Sequence, residues 1–228
     1  MRKELSWGRE DFIVTDLARE VSARITSAMG SGVEECWMDL DGARLRYLRA
    51  GSGPALVLLH GLLGYSFSWR YTMPVLAKYA TVYAPDMLGT GFSDRVPGLD
   101  CHMGASADRL LRFVQKLGIP SFDLLGTSHG GAVAMMAAAA SADGASSPRL
   151  KRLVLVAPVN PYSPHGKRLA PFFGSSVGAI LFRLTVARTT VLYRSFLQRL
   201  YGDPKRISKG TLEATRRRWP CLDCSITP

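Results

Sequence analysis

Short apolar runs alternate with amphipathic segments through the central part of the chain. Strands are predicted at residues 55–59, 80–84, 122–126 and 151–157, and the continuous apolar run at 55–59 fits a strand covered on both faces. Segments with helical spacing fall between them, at about 66–78, 104–117 and 129–141. Strands that alternate with helices are typical of a mostly parallel sheet with helices on both faces. The pattern therefore predicts the α/β class.

Two further strands are predicted before this alternating region, at about 34–40 and 43–50. Asp41-Gly42 between them is a hairpin turn signature. Earlier still, residues 9–28 place apolar side chains mostly at four-residue intervals, which predicts an amphipathic helix. We therefore expect an N-terminal helical extension at 1–33 and a core domain at 34–160.

The character of the sequence changes after Pro158. Residues 168–202 are rich in Phe, Leu and Tyr with arginines among them, which fits helices that have a broad apolar face and basic edges. Strand-like runs of Val and Leu do not recur there. We expect helices at 161–220 and an irregular tail at 221–228.

The composition is that of an ordinary globular protein, with 47% hydrophobic and 21% charged residues and a net charge of +11. All of the positive excess lies after residue 148. Such a surface could face anionic lipid, an acidic substrate or nucleic acid, although a solvated helical face is the simpler interpretation. We expect no nucleic-acid partner and keep a membrane surface as an alternative partner.

Cellular context and cofactors are also constrained by the sequence. No stretch has the ~20 uninterrupted apolar residues of a membrane span. Acidic residues stand near the N-terminus where a signal peptide would be apolar, so we expect a cytoplasmic location. The four cysteines do not suggest a disulfide scaffold. We expect neither a cofactor nor a metal.

Gly126-Thr127-Ser128-His129-Gly130 lies where a predicted strand turns into a predicted helix. This is a G-x-S-x-G element, whose glycines let the backbone fold back without a clash and leave the serine exposed above the sheet edge. The start of the next helix adds free N–H groups and a positive dipole end. The context indicates a catalytic nucleophile, Ser128, and an ordinary glycine-rich turn is the alternative.

His60-Gly61-Leu62-Leu63-Gly64 follows the strand predicted at 55–59. The backbone N–H groups of Leu62 and His129 would together form an oxyanion hole for the tetrahedral intermediate of acyl transfer. His60 and Gly61 would border the substrate, and a plain strand–helix loop with a structural histidine is the alternative. His165, just after the last predicted strand, would contact substrate from the pocket edge, unless it is a surface histidine.

A third loop runs from Pro85 to Ser93, and Asp86 in it is expected to be structural, accepting hydrogen bonds within its own turn. Together the three loops resemble the signature loops of the α/β-hydrolase fold superfamily, in the same order. The strand pattern from 34 to 157 is similar to the first six strands of that fold. The resemblance covers about 35–160 well, and residues 161–220 look similar to the helical cap that is inserted after strand six of that fold.

This resemblance implies a cofactor-independent serine hydrolase of the carboxylesterase or lipase kind, with Ser128 as nucleophile and a small apolar, ester-like substrate. Relatives with Asp at the elbow cleave carbon–halogen bonds or epoxides, and Ser128 argues against both. Related loops also perform perhydrolysis, carbon–carbon cleavage or acyl transfer, and the elbow does not separate these.

The family order continues with an acid and a histidine after the nucleophile. His129 is poorly placed to take a proton from its neighbour, and Asp143 lies too far along the helix to orient a base. We therefore expect this chain to lack the triad acid and histidine and the last strands of the fold, with truncation after the cap. The alternatives are an inactive remnant that binds a ligand or partner, and peripheral membrane association through the basic cap.

Overall fold

The computed structural model describes residues 22–24, 26–27, 29–62, 64–141 and 148–159. The strands are β1 (Val33–Leu40), β2 (Ala43–Ala50), β3 (Ala55–Leu59), β4 (Thr81–Pro85), β5 (Ser121–Thr127) and β6 (Arg149–Val156). The helices are a 3₁₀ helix (Ser66–Trp69), α1 (Met73–Leu76), α2 (Met103–Lys116) and α3 (His129–Ala140). Residues 22–24 and 26–27 are also helical. None of the described helices has the length and apolar character needed to cross a membrane.

The strands form a six-stranded sheet in the order β1-β2-β4-β3-β5-β6. β2 pairs antiparallel with both β1 and β4, whereas β4, β3, β5 and β6 are parallel to one another. The prediction of a mostly parallel sheet is confirmed. Parallel strands share a carboxyl edge, so the loops that follow β3, β4 and β5 leave the sheet on the same side.

Helices cover both faces of the sheet, as predicted. Val57 and Leu59 of β3 are buried in a cluster with apolar residues of α2 and α3. Leu58, between them in sequence, belongs to a second cluster with Trp69 and Met73. Side chains of a strand alternate between the two faces, so a continuous apolar run supplies both clusters. Burial of β3 on both sides holds the start of the loop at His60.

The helix predicted over 66–78 is instead two short pieces, the 3₁₀ helix and α1. Pro74 stands in the first turn of α1. Proline has no N–H to donate to the preceding turn, but it is tolerated at the start of a helix, so the chain restarts there. The cap at 161–220, the tail at 221–228 and most of the extension at 1–33 lie outside the described residues, and those boundaries stay predictions.

Candidate active site

Ser128 lies between β5 and α3, at the predicted strand-to-helix turn, with φ 52° and ψ −120°. L-amino acids seldom adopt this conformation, and it persists only where neighbours enforce it. Ser128 N–H donates to Val156 O at 3.1 Å, and Ser128 O accepts from Val159 N at 3.0 Å. Ser128 O also accepts from Gly131 N at 3.0 Å. The end of β6 and the first turn of α3 therefore hold the strained residue.

Two glycines of the turn are required because segments of backbone meet there. A Cβ added to Gly130 would lie 2.6 Å from Leu59 O and nearer still to His60 O. A Cβ added to Gly126 would lie 2.5 Å from Gly130 O. Real side chains do not pack this closely against backbone, so any other residue would push α3 away from β3.

The loop after β3 packs directly against Ser128. A Cβ added to Gly61 would lie 3.2 Å from Ser128 Cβ and 3.7 Å from Ser128 Oγ. The structure therefore brings Gly61 beside the serine hydroxyl. Leu62 follows in the chain with its side chain 67% exposed, so only its backbone needs to face the site. Ser128 and His129 are half-buried.

His60 is buried, and both of its ring nitrogens contact the protein. Its Nε2 accepts the N–H of Met87 at 3.2 Å and lies 3.2 Å from Thr90 Oγ1. A backbone N–H only donates, so Nε2 is unprotonated and Nδ1 carries the hydrogen. Nδ1 then donates to Gly61 O at 2.9 Å. These contacts favour the structural alternative for His60 over the predicted substrate contact.

The same hydrogen bond orients the first predicted oxyanion donor. Gly61 O accepts from His60 Nδ1 and also from Gly64 N at 3.0 Å. In a trans peptide the N–H points away from the carbonyl that precedes it. Because the direction of the Gly61 carbonyl is fixed, the Leu62 N–H points the opposite way within the same peptide plane. His60 thus fixes the peptide that Leu62 shares with Gly61.

Both histidines of this region are kept neutral. Burial lowers the pKa of His60, although the hydrogen bond to Gly61 and the charge of Asp86 act in the opposite direction. Burial also lowers the pKa of His129, and the nearby His60 lowers it further. A neutral His60 is the form that can accept the Met87 N–H. Near neutral pH this arrangement is therefore stable.

Asp86 joins the loop after β3 to the loop after β4. Its Oδ1 accepts Ser66 N–H at 2.8 Å, and its Oδ2 accepts Phe92 N–H at 2.9 Å. The prediction that Asp86 accepts hydrogen bonds within its own turn is confirmed. The sequence reasoning missed the third partner of this carboxylate, Arg46 on β2. A signal existed, because Arg46 shares a strand face with the buried Leu48.

His165, Leu63 and the acidic residues after position 159 lie outside the described residues, so the structure does not place them. Within the described ranges, no cluster of three or more side chains of the metal-binding types occurs. The structure thus brings together Ser128, His129, His60, Gly61 and Leu62.

Comparison with known proteins places this arrangement in a family context. A family model described as alpha/beta hydrolase fold matches residues 54–223. N-formylmaleamate deformylase from Pseudomonas putida is 39% identical over 132 residues, 58% of this chain and 47% of that protein. A soluble epoxide hydrolase from a Corynebacterium species is 41% identical over 96 residues, 42% of this chain and 33% of that protein. These matches span about half or less of the length of the curated relatives.

A solved structure with the same fold is the haloalkane dehalogenase DatA from Agrobacterium tumefaciens. It has a TM-score of 0.70 and 18% sequence identity, and the match covers 87% of this chain and 67% of that chain. At this identity the likeness bears on the fold alone.

Proposed function

Because the chain belongs to the α/β-hydrolase fold family, we propose that it acts as a serine hydrolase on small, apolar, ester-type substrates. The observation that carries the proposal is the strained Ser128, held with Gly61 beside its hydroxyl. Strain at a single non-glycine residue that faces a loop rich in backbone donors is typical of a nucleophile elbow.

In the proposed reaction, Ser128 Oγ attacks the acyl carbon while its proton passes to a base. The carbonyl oxygen becomes an oxyanion, which the N–H groups of Leu62 and His129 stabilise. The alcohol leaves with a proton, and water then hydrolyses the acyl–serine ester. Each oxyanion donor of this kind contributes a factor of about 10²–10³ in kcat. The backbone donors explain why the exposed Leu62 side chain is compatible with the role.

The base is not supplied by His60, because hydrogen bonds within the protein occupy both of its ring nitrogens. His129 is kept neutral, but it directly follows Ser128 in the chain, where its ring is poorly placed to take the proton. Loss of the base of a serine triad lowers turnover by a factor of about 10⁴–10⁶. The identity of the base therefore decides how fast this chain works.

The names of the relatives support a small substrate, since they refer to a formyl compound and an epoxide. A formyl group is an acyl group, so deformylation and ester hydrolysis both transfer an acyl group to water. The elbow serine distinguishes acyl chemistry from the carbon–halogen and epoxide reactions, for which the family uses aspartate. We therefore prefer an acyl substrate.

The alternative is an inactive remnant that binds a small apolar ligand. What favours it is that the described residues present no side chain placed to act as base for Ser128. Hydrolysis of p-nitrophenyl butyrate separates the two. If the chain carries a base for Ser128, Ser128→Ala should lower kcat by a factor of about 10⁴. The exposed loop variant Ser52→Ala should match the wild type. Equal rates for the wild type and Ser128→Ala would favour the binding module.

A further inference from the structure

Arg46 lies at the centre of a buried polar cluster that joins β2 to the candidate active site. Its side chain is fully buried and pairs with Asp86 Oδ2 at 3.2 Å and with Glu35 Oε2 at 3.2 Å. It also donates to Ser66 Oγ and Thr26 Oγ1, each at 2.8 Å. A buried guanidinium is costly unless it is paired and hydrogen-bonded. The contact with Arg46 holds the Asp86 carboxylate in one orientation.

The oriented carboxylate fixes two backbone segments at once. Ser66 begins the 3₁₀ helix that ends the loop starting at His60, and Phe92 closes the glycine turn after β4. The carboxylate packs so tightly against this turn that a Cβ on Gly91 would meet it. Ser93 Oγ adds a hydrogen bond to Asp86 O at 2.6 Å. Asp86 therefore links the end of the loop after β3, at Ser66, to the turn after β4, at Phe92.

The near end of the first loop is held from the same turn. Met87, next to Asp86, donates its N–H to His60 Nε2, and Thr90 Oγ1 lies beside the same nitrogen. His60 in turn holds Gly61 O. Displacement of the segment from Asp86 to Phe92 would thus be passed to the peptide that carries the Leu62 N–H.

We propose that Asp86 is a positioning residue for the oxyanion loop, oriented by Arg46 and acting through Ser66 and His60. This inference rests on the proposed role of Ser128. It assigns to Asp86 no contact with substrate and no proton transfer. Its effect is to hold the Leu62 N–H within about a few tenths of an ångström of the position from which it stabilises the oxyanion.

Glu35 provides a matched control. It pairs with the same guanidinium, but its other partners are Ser22 Oγ, Thr26 Oγ1 and Trp37 Nε1, none of which belongs to the active-site loops. Burial alone would raise the pKa of Glu35, but hydrogen bonds and the charge of Arg46 outweigh it and hold that pKa below its usual value. Glu35→Gln therefore weakens the buried ion pair without removing an acceptor from either loop.

Asp86→Asn has a different effect. The amide keeps one acceptor oxygen, so its NH₂ group must face either the Ser66 N–H or the Phe92 N–H together with the guanidinium. At least one of Ser66 N–H and Phe92 N–H then loses its acceptor. We expect kcat for p-nitrophenyl butyrate to fall by about 10²-fold while KM changes less than about threefold, because a shift near 1 Å costs about this factor. Glu35→Gln should keep kcat within about threefold of the wild type.

Hydrogen exchange measured by mass spectrometry gives a readout that does not depend on turnover. In Asp86→Asn the peptides over 60–66 and 86–93 should exchange faster, whereas those of β5 should not change. Unchanged exchange in these loops, or equal losses of kcat in Asp86→Asn and Glu35→Gln, would overturn the positioning role. If the wild type shows no turnover that depends on Ser128, the proposed function fails, and the exchange result still decides whether Asp86 holds the loops.

A second pair of variants covers the case in which Asp86→Asn does not fold. Ser66→Pro removes the N–H donor at the first position of a 3₁₀ helix, where proline is tolerated, and Tyr65 before it is already extended. Ser66→Ala keeps the N–H and removes only the hydroxyl that faces Arg46. A fall in kcat in Ser66→Pro beyond that in Ser66→Ala supports the role, and equal values contradict it.

Discussion

Gly130→Ala tests the closest backbone contact of the elbow. The new Cβ would stand 2.6 Å from Leu59 O and closer to His60 O, whereas about 3.4 Å is ordinary contact. Relief requires a movement near 1 Å, and the contacted atoms are main chain at the end of β3, which is buried on both faces. Overpacking of this kind costs about 1–3 kcal/mol. The gain in helix propensity from Gly to Ala offsets about 1 kcal/mol.

The free energy of unfolding should therefore fall by at most about 2 kcal/mol. A loss of that size lowers Tm by about 4–8 °C in a domain of this size. Gly104→Ala is the control, because nothing lies within 4 Å of a Cβ at this position of α2. That variant gains propensity without a clash, so its Tm should rise by up to about 4 °C. Thermal denaturation of both variants measures the difference. A Tm for Gly130→Ala equal to that of Gly104→Ala would refute the close approach of α3 to β3.

Three further predictions concern the histidines and the oxyanion loop. The lowered pKa values of His60 and His129 mean that the unfolded chain binds protons first as the pH falls below 6.5. Urea unfolding should therefore show full stability above pH 6.5. Between pH 6.5 and 5 the free energy of unfolding should fall by up to about 1.4 kcal/mol per pH unit for each of the two histidines, and no loss there would contradict the shifts. His60→Ala should cost about 1–3 kcal/mol because the part-buried Met87 N–H loses its acceptor, and retention of wild-type stability would argue against that bond. Gly61→Ala should lower kcat by about 10-fold or more with little change in Tm, because its Cβ needs a shift of only a few tenths of an ångström at Ser128; a large fall in Tm would show that the loop cannot adjust.

Hydrophobic pattern was sufficient to predict the strands and the longer helices. β3 is a continuous run of Leu and Val that fits a strand buried on both faces, and α2 carries regular helical spacing. The predicted helix at 66–78 was wrong as a single element. Its apolar spacing was right, but the backbone effect of Pro74 outweighed it.

The candidate site was predicted only as far as local sequence motifs reach. The position of Ser128 and the neighbouring Gly61 loop follow from glycine spacing next to a strand and a helix. The environment of His60 does not, because its partner Met87 is 27 positions away and is brought near only by the pairing of β3 with β4. Arg46 was missed for a related reason: alternation along β2 indicates that its side chain is buried, but it does not indicate that the partner is Asp86, 40 positions away.

The most direct test of the account is to locate the covalent adduct that a fluorophosphonate probe forms with this chain. The probe mimics the acyl carbon under attack, so it reports which hydroxyl is held in position to react. The account predicts one phosphonyl group, found by peptide mass spectrometry on Ser128, and no adduct in Ser128→Ala. An adduct on another residue, or labelling that continues unchanged in Ser128→Ala, would contradict it.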